Sequence, residues 1–539
     1  MVESPRHSTT DQGRPQAYWF WLILVTGFAI RFYQLGNWSI WIEENHLLRD
    51  VQVYMDSFSE ILKNPRPLYY LLILPIFNVW GVSLAGARAL AAVIGVFTIA
   101  AVYFLTERSL GRRSALVATL LIALAPWHLF WSQNARFYTL LLLMYSLSYV
   151  SFYMSLETDR FIYKVLAFLF LGLATLSHTI GALLVLLFIV HYLVIKVMPD
   201  EKPVGFRLGN ILPYIILPIV GYFCLEVFRV FVVGTNSMAG EFYYKFVNTD
   251  TVSFLGYSKR PWVMFTTVFY SVGFPLGVMS AYGAFDLLFV LRKRESYVLV
   301  LGAYFPFVFF VLITAFVESV TNRYVFMTLP FWVVLAASGV WRIIDVRNSI
   351  IGVLLIFVTL ASFFWDPTIL DIVYFATLSP LFLLFLISSI AGFIVFVLYK
   401  FPDQQKAYPG YILLFILCFH AVAADVMYFS FQHGYRDNWT GPTAFIEEQG
   451  SPDDIVWTHP HPVGQYYLGD QVQPLGRFQN DPQEYAGQTV WIIEEAGAYW
   501  YFESRYTDWV EANQCELAGD WSNYAAGHPW AMTLYKCSP

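Results

Sequence analysis

The sequence predicts a mainly α-helical, polytopic membrane protein of about thirteen crossings, followed by a small α/β domain. Three observations carry that expectation. Of 539 residues, 58% are hydrophobic and only 13% charged, more apolar surface than a water-soluble core can bury. Apolar runs of membrane-spanning length recur as far as residue 432. Beyond that point the composition changes: residues 433–539 hold four basic side chains against fifteen acidic ones. So acidic a segment excludes a nucleic-acid surface there.

Taken in order, residues 1–17 are polar and read as a cytoplasmic tail, and the first apolar run, 18–36, is long enough to be a retained anchor. Further crossings fall near 84–106, 114–131, 138–156, 161–178, 180–197, 211–233, 262–289, 297–317, 324–341, 349–365, 372–399 and 410–432, giving a membrane domain over 18–432. The segment Pro67 to Trp80 is apolar but too short to cross, so it reads as a re-entrant or interfacial helix. With that parity, Arg108, Arg112, Arg113, Arg160, Lys164, Lys202, Arg207, Arg292, Lys293, Arg294, Arg342, Arg347, Lys400 and Lys406 share one side, which the positive-inside rule makes the cytoplasm. Glu43, Glu44, Arg66, Arg136, His178, Arg323 and the acidic tail then face outward.

The tail, 433–539, alternates helical and strand patterns. A helix after Thr440 closes near Gln449, Asp454 to Trp457 and Thr489 to Ile493 read as buried strands, Trp509 to Asn513 continues an amphipathic segment, and Met532 to Tyr535 forms a last strand. Cys515 and Cys537 lie in this outward part and are candidates for a disulfide, with two free buried thiols as the alternative. His459 and His461 flank a proline without the further ligands that a zinc site needs.

The chemistry-bearing feature is the adjacent pair Glu43 and Glu44 in the first outward loop, residues 37–83, where a helix should leave the bilayer. Charge at bilayer depth is costly, so carboxylates at a helix exit suggest work at the membrane surface. Around them, Ser39-Ile40-Trp41-Ile42-Glu43-Glu44, Pro65-Arg66-Pro67-Leu68-Tyr69-Tyr70, Gly86-Ala87-Arg88-Ala89-Leu90, Gly111-Arg112-Arg113, and Pro126-Trp127-His128 through Ser132-Gln133-Asn134-Ala135-Arg136-Phe137-Tyr138 occur in that order. Their order and spacing resemble the GT-C membrane glycosyltransferases, in particular the branch of protein O-mannosyltransferases and lipid A aminoarabinose transferases. Past residue 180 the resemblance is mainly topological, apart from Asn322-Arg323-Tyr324 before an apolar span.

That resemblance implies transfer of a sugar from a polyprenyl-phosphate donor to an acceptor glycan, lipid or protein on the outer face of a plasma membrane. It implies Glu43 as base, with Glu44 as its helper and perturbed upward by its like-charged neighbour. Arg66, Arg136 and Arg323, with Tyr324, are then ligands for the donor phosphate, while Tyr69, His128, Asn134, Tyr138 and His178 are substrate contacts. Bland roles compete: Arg66 and Arg323 as snorkelling side chains, Arg136 as a partner of Glu43 or Glu44, Asn134 as a helix cap, the histidines as helix-end hydrogen-bonders. Arg88, inside a span, needs an internal partner. Two positions depart from the family pattern: Glu43 stands where relatives usually carry aspartate, and Asn134 where they often carry an acid. Without that second acid a bridging divalent metal is not expected, and no cofactor is. A ligase using a diphosphate-linked donor, and a transporter or receptor, are the competing functions. Rim-collected charges, rather than midplane ones, argue against transport.

Overall fold

The computed structural model describes residues 13–198, 201–234, 260–316, 320–346, 349–400, 405–478, 485, 487–495 and 506–538. The membrane domain is built from helices α1 (Gly13–Phe32), α2 (Ile42–Asp56), α3 (Pro67–Trp80), α4 (Leu84–Leu110), α5 (Arg112–Leu124), α6 (Pro126–Ser132), α7 (Tyr138–Thr158), α8 (Phe161–Ser177), α9 (Leu183–Val197) and α10 (Leu208–Val227). It continues through α11 (Pro261–Val272), α12 (Phe274–Phe285), α13 (Glu295–Ile313), α14 (Leu329–Val346), α15 (Ser349–Ser362), α16 (Pro367–Leu378), α17 (Pro380–Lys400) and α18 (Tyr408–Ser430).

Among the described residues, eight helices are long and apolar enough to cross a membrane, or up to eleven if each bent pair is one span. The count of thirteen is therefore not fixed by the structure. Three predicted single spans are broken, and each break has a local cause. Ala125-Pro126 bends α5 from α6 by 58°, because proline removes a helical donor and restricts the residue before it. Gly273, at φ +88°, separates α11 from α12 at 95°. The span expected over 372–399 is split at Ser379-Pro380 into α16 and α17, and α16 pairs instead with the helix before it at a 76° bend. The 14 residues of α3 reach about 21 Å, short of a hydrocarbon core of roughly 30 Å.

Helix starts explain how the first loop is held. The Ser83 hydroxyl accepts the Gly86 N–H at 3.1 Å at the head of α4, and Glu44 reaches back to the Trp41 N–H at 3.1 Å at the head of α2.

After α18 the chain forms α19 (Thr440–Gln449), β1 (Ile455–Thr458), α20 (His461–Leu468), β2 (Val472–Pro474), β3 (Val490–Glu495), β4 (Glu516–Asp520), β5 (Asn523–Ala525), β6 (His528–Trp530) and β7 (Met532–Cys537). The sheet order is β2-β1-β3-β7-β4; β1 runs parallel to β2 and β3, and β7 is antiparallel to β3 and β4. Along β3, Trp491 and Ile493 enter one apolar cluster while Val490 and Ile492 enter another, so both faces are covered. Helices expected after Thr440 and around Trp509 are present as α19 and a short helix over 506–512. Cys515 and Cys537 are joined by a disulfide. The hairpin β5–β6 stands apart from the sheet and docks on α16: Asp371 accepts the backbone N–H groups of Ala526 and Gly527 at 2.9 and 2.8 Å, and Tyr524 stacks on Tyr374 at 3.9 Å.

Candidate functional site

The loop between α1 and α2 is clamped from both sides. Trp38 donates to the Gln133 side chain at 2.8 Å, while the Ile40 N–H donates to the Tyr467 hydroxyl at 2.9 Å and Ser39 meets His433. Ile40 itself is buried in the core of the C-terminal domain. The loop thus delivers the first turn of α2, and with it two consecutive carboxylates that point to different environments.

Glu44 is wholly buried. Arg88 Nε and Nη2 grip its two oxygens at 2.9 and 2.6 Å, the Ala135 N–H donates at 2.9 Å, and Arg436 lies 3.9 Å away. Arg88 spends its remaining donors on the carbonyls of Leu35, Trp38 and Ser39. Burial by itself pushes the Glu44 carboxyl up, but Arg88, then Arg436 and the Ala135 N–H, overcome it and hold the pKa at about 2. This corrects the expectation of a helper acid with a raised pKa: Glu44 ties α2 to α4 and to the turn before α7, and its oxygens are committed. The internal partner required by Arg88 is this carboxylate.

Glu43 sits instead in a cationic, aromatic basin. Arg323 Nη1 meets one oxygen at 2.5 Å and Arg136 Nη2 the other at 3.0 Å, with Arg136 Nη1 also donating to the Glu43 carbonyl at 3.2 Å. The Arg136 contact is an ion pair without the alignment of a hydrogen bond. Arg136 and Arg66 both lie over the Phe137 ring, at 4.7 and 5.4 Å, and Arg323 lies near Tyr138 and Tyr324 at 5.9 and 6.0 Å. His178 completes the aromatic wall, with its ring 4.9 Å from Phe137 and 5.8 Å from Tyr324. Its Nδ1 accepts the Ile180 N–H at 3.1 Å, so this histidine also caps a helix end. Among the described residues no carboxylate pairs with Arg66; two guanidinium groups hold the Glu43 carboxylate and the third shares the Phe137 ring with Arg136.

The remaining sequence candidates are placed elsewhere. His128 turns inward and shares its Nδ1 with Arg31 at 2.5 Å, in a junction where Arg31 also binds the carbonyls of Gly27, Ile122 and Ala123. Tyr69 donates to the Ala87 carbonyl at 3.1 Å and is fully buried. Asn134 is buried with its amide donating back to the Phe130 carbonyl at 3.0 Å, so it closes α6 rather than capping α7. In each of these three, expected as substrate contacts, the buried polar group has taken a nearby backbone or side-chain partner. Sequence reasoning missed Phe137, the ring shared by two arginines; the only signal was its place between Arg136 and Tyr138. Among the described residues no group of three His, Cys, Asp or Glu side chains is gathered for a metal.

Residues 63–220 match the family model described as dolichyl-phosphate-mannose-protein mannosyltransferase. Over nearly the whole chain the fold is similar to that of ArnT from Cupriavidus metallidurans in the apo state, at TM-score 0.54 and 14% identity, covering 97% of this chain and 98% of that one. The same protein bound to undecaprenyl phosphate matches at TM-score 0.55 and 13% identity, with 96% and 98% covered. The chain has the GT-C glycosyltransferase fold. No curated protein matches the sequence. The GT-C fold and the run of apolar helices together mark the chain as a multi-pass membrane protein.

Proposed function

We propose that this chain moves a sugar from a polyprenyl-phosphate-linked donor to an acceptor at the extracytoplasmic surface of the plasma membrane, with Glu43 as the base. The observation that carries this reading is the composition of the basin: one carboxylate held between Arg136 and Arg323, with a third guanidinium, Arg66, over the Phe137 ring that Arg136 also covers and, among the described residues, without a carboxylate partner. Among the described residues that leaves an excess of two positive charges, the complement of a lipid phosphate. As the glycosidic bond breaks, negative charge builds on the departing phosphate oxygen, so guanidinium groups fixed beside it stabilise the transition state more than the ground state.

The same contacts suggest an order of events. An arriving phosphate competes with Glu43 for the forks of Arg136 and Arg323. A carboxylate released from them is free to take the proton of the attacking acceptor hydroxyl, while the bond from the anomeric carbon to phosphate oxygen breaks and the carrier leaves as its phosphate. The GT-C neighbour solved with undecaprenyl phosphate supports a carrier of that class.

The test is transfer by the purified chain in liposomes carrying a panel of polyprenyl-phosphate and polyprenyl-diphosphate sugars, with wild type beside Glu43→Gln. Turnover with a monophosphate donor that is lost in the variant supports the reading. Turnover confined to diphosphate donors, or unchanged in Glu43→Gln, overturns it.

A further inference from the structure

A second concavity lies beside the basin, and neither Glu43 nor its arginines line it. It is a half-open cavity of about 280 Å³ between α6, α11, α18 and the β5–β6 hairpin of the C-terminal domain. We propose that this cavity binds a carbohydrate ring of the acceptor, and that the hairpin is the part of the C-terminal domain that recognises it. The proposal rests on the donor-side assignment made above, and adds to it the second substrate and a role for the tail.

Lining chemistry points to a sugar rather than to a hydrocarbon tail. Trp127, Trp131, Tyr270 and Trp530 supply flat rings, the surfaces on which the C–H faces of a pyranose can pack. Between them stand polar groups, Ser271, Asn322 and His420, of the kind that orient hydroxyls. Asn322 donates to Ser271 Oγ at 2.7 Å, and His420 is fixed by Asp366 at 2.9 Å, so both are held in place before any ligand arrives. Trp131 is only 4% exposed and packs on Tyr138 at 4.3 Å, so the ring that it contributes to the lining is held rigidly.

Position favours the acceptor over the donor. Asn322 lines the cavity and is followed in the chain by Arg323, which holds Glu43; Trp131 packs on Tyr138 at 4.3 Å, and Arg323 lies over that same ring. Arg66 and Phe137, the phosphate side of the basin, are not part of the cavity. A sugar held there adjoins the wall formed by Asn322 and Trp131, next in the chain and in packing to Arg323 and Tyr138, and not the Arg66 and Phe137 side. The hairpin closes the cavity with Ala525, Ala526 and Trp530, and Asp371 pins it through the N–H groups of Ala526 and Gly527.

The experiment uses the full chain in nanodiscs, with saturation-transfer NMR of a panel of methyl glycosides and a separate titration with undecaprenyl phosphate. At least one glycoside is expected to bind, to remain bound at saturating undecaprenyl-phosphate hexose, and to lose about tenfold in affinity in Trp530→Ala while undecaprenyl phosphate binding stays unchanged. Asn322→Ala deletes one amide without touching the hairpin and gives the same reading if Trp530→Ala does not fold. The proposal is overturned if no glycoside binds, if neither variant weakens it, or if undecaprenyl phosphate or its hexose displaces the glycoside, which would give the cavity to the donor. Loss of undecaprenyl phosphate binding by wild type, with glycoside binding intact, would strike the donor assignment and leave the cavity standing.

Discussion

Replacing Glu44 by glutamine separates two adjacent acids by physics alone. The carboxylate is fully buried and accepts from Arg88, Ala135 and Trp41, so glutamine leaves the Arg88 charge in place without its counter-ion. Two routes give the size of the loss. A carboxyl held at about 2 rather than its ordinary 4.5 favours the folded state by roughly 3 kcal/mol at neutral pH. Breaking one side of a buried ion pair costs about 3–5 kcal/mol. Both predict a large drop in unfolding free energy, measured by denaturant titration of the full chain in detergent. Because the folded pKa is depressed, this contribution is complete above about pH 4.5 and is lost as pH falls toward 2. The gap between wild type and Glu44→Gln should therefore stay constant from neutral pH down to about 5 and narrow below it. Replacing the pair together, Glu44→Leu with Arg88→Met, should recover much of the loss, since no charge is left buried alone. A Glu44→Gln protein as stable as wild type but devoid of transfer would refute the structural role and return this residue to the chemistry.

Other outcomes follow from the same contacts. Glu43→Gln, half-buried between two arginines, should fold normally and lose transfer by at least about a hundredfold, read in single-turnover assays. Arg323→Lys keeps the charge but loses the planar fork, so donor KM should rise about tenfold with acceptor KM unaffected; equal effects on both would refute a phosphate contact. Reducing Cys515–Cys537, which closes a loop of 22 residues, should cost the C-terminal domain about 3 kcal/mol, seen as a lower denaturation midpoint in reductant. Asp371→Ala frees the N–H groups of Ala526 and Gly527, and faster hydrogen exchange over β5–β6 is the expected sign.

Much of the architecture was legible because membrane helices and buried strands are written in composition. The 490–493 strand shows this: a run of Val-Trp-Ile-Ile can only be covered on both faces, and it is. Helix breaks were harder. Pro126 and Pro380 are visible as residues, but a 95° turn at Gly273 needs the neighbouring helices to choose it. In the site, Glu43, Arg136 and Arg323 could be picked out as outward charges, and Arg88 was flagged by its need for a partner. Which of two consecutive acids met which arginine was not legible, since neighbours on a helix differ by about 100° in direction and only packing decides which faces inward. The partners of His128, Tyr69 and Asn134 were hidden for a related reason: an outward position in a topology count says nothing of whether a side chain turns back to a neighbour.

The clamp on the first loop carries a further consequence for how such a protein comes into being. Ser39 is tied to His433, 394 positions later in the chain, and Ile40 to Tyr467 beyond it. Synthesis delivers the amino end first, so the segment bearing Glu43 waits, threaded but unset, until nearly the last domain has emerged and closed over it. A truncated product would carry every arginine of the basin while lacking the residues that set the first loop in place.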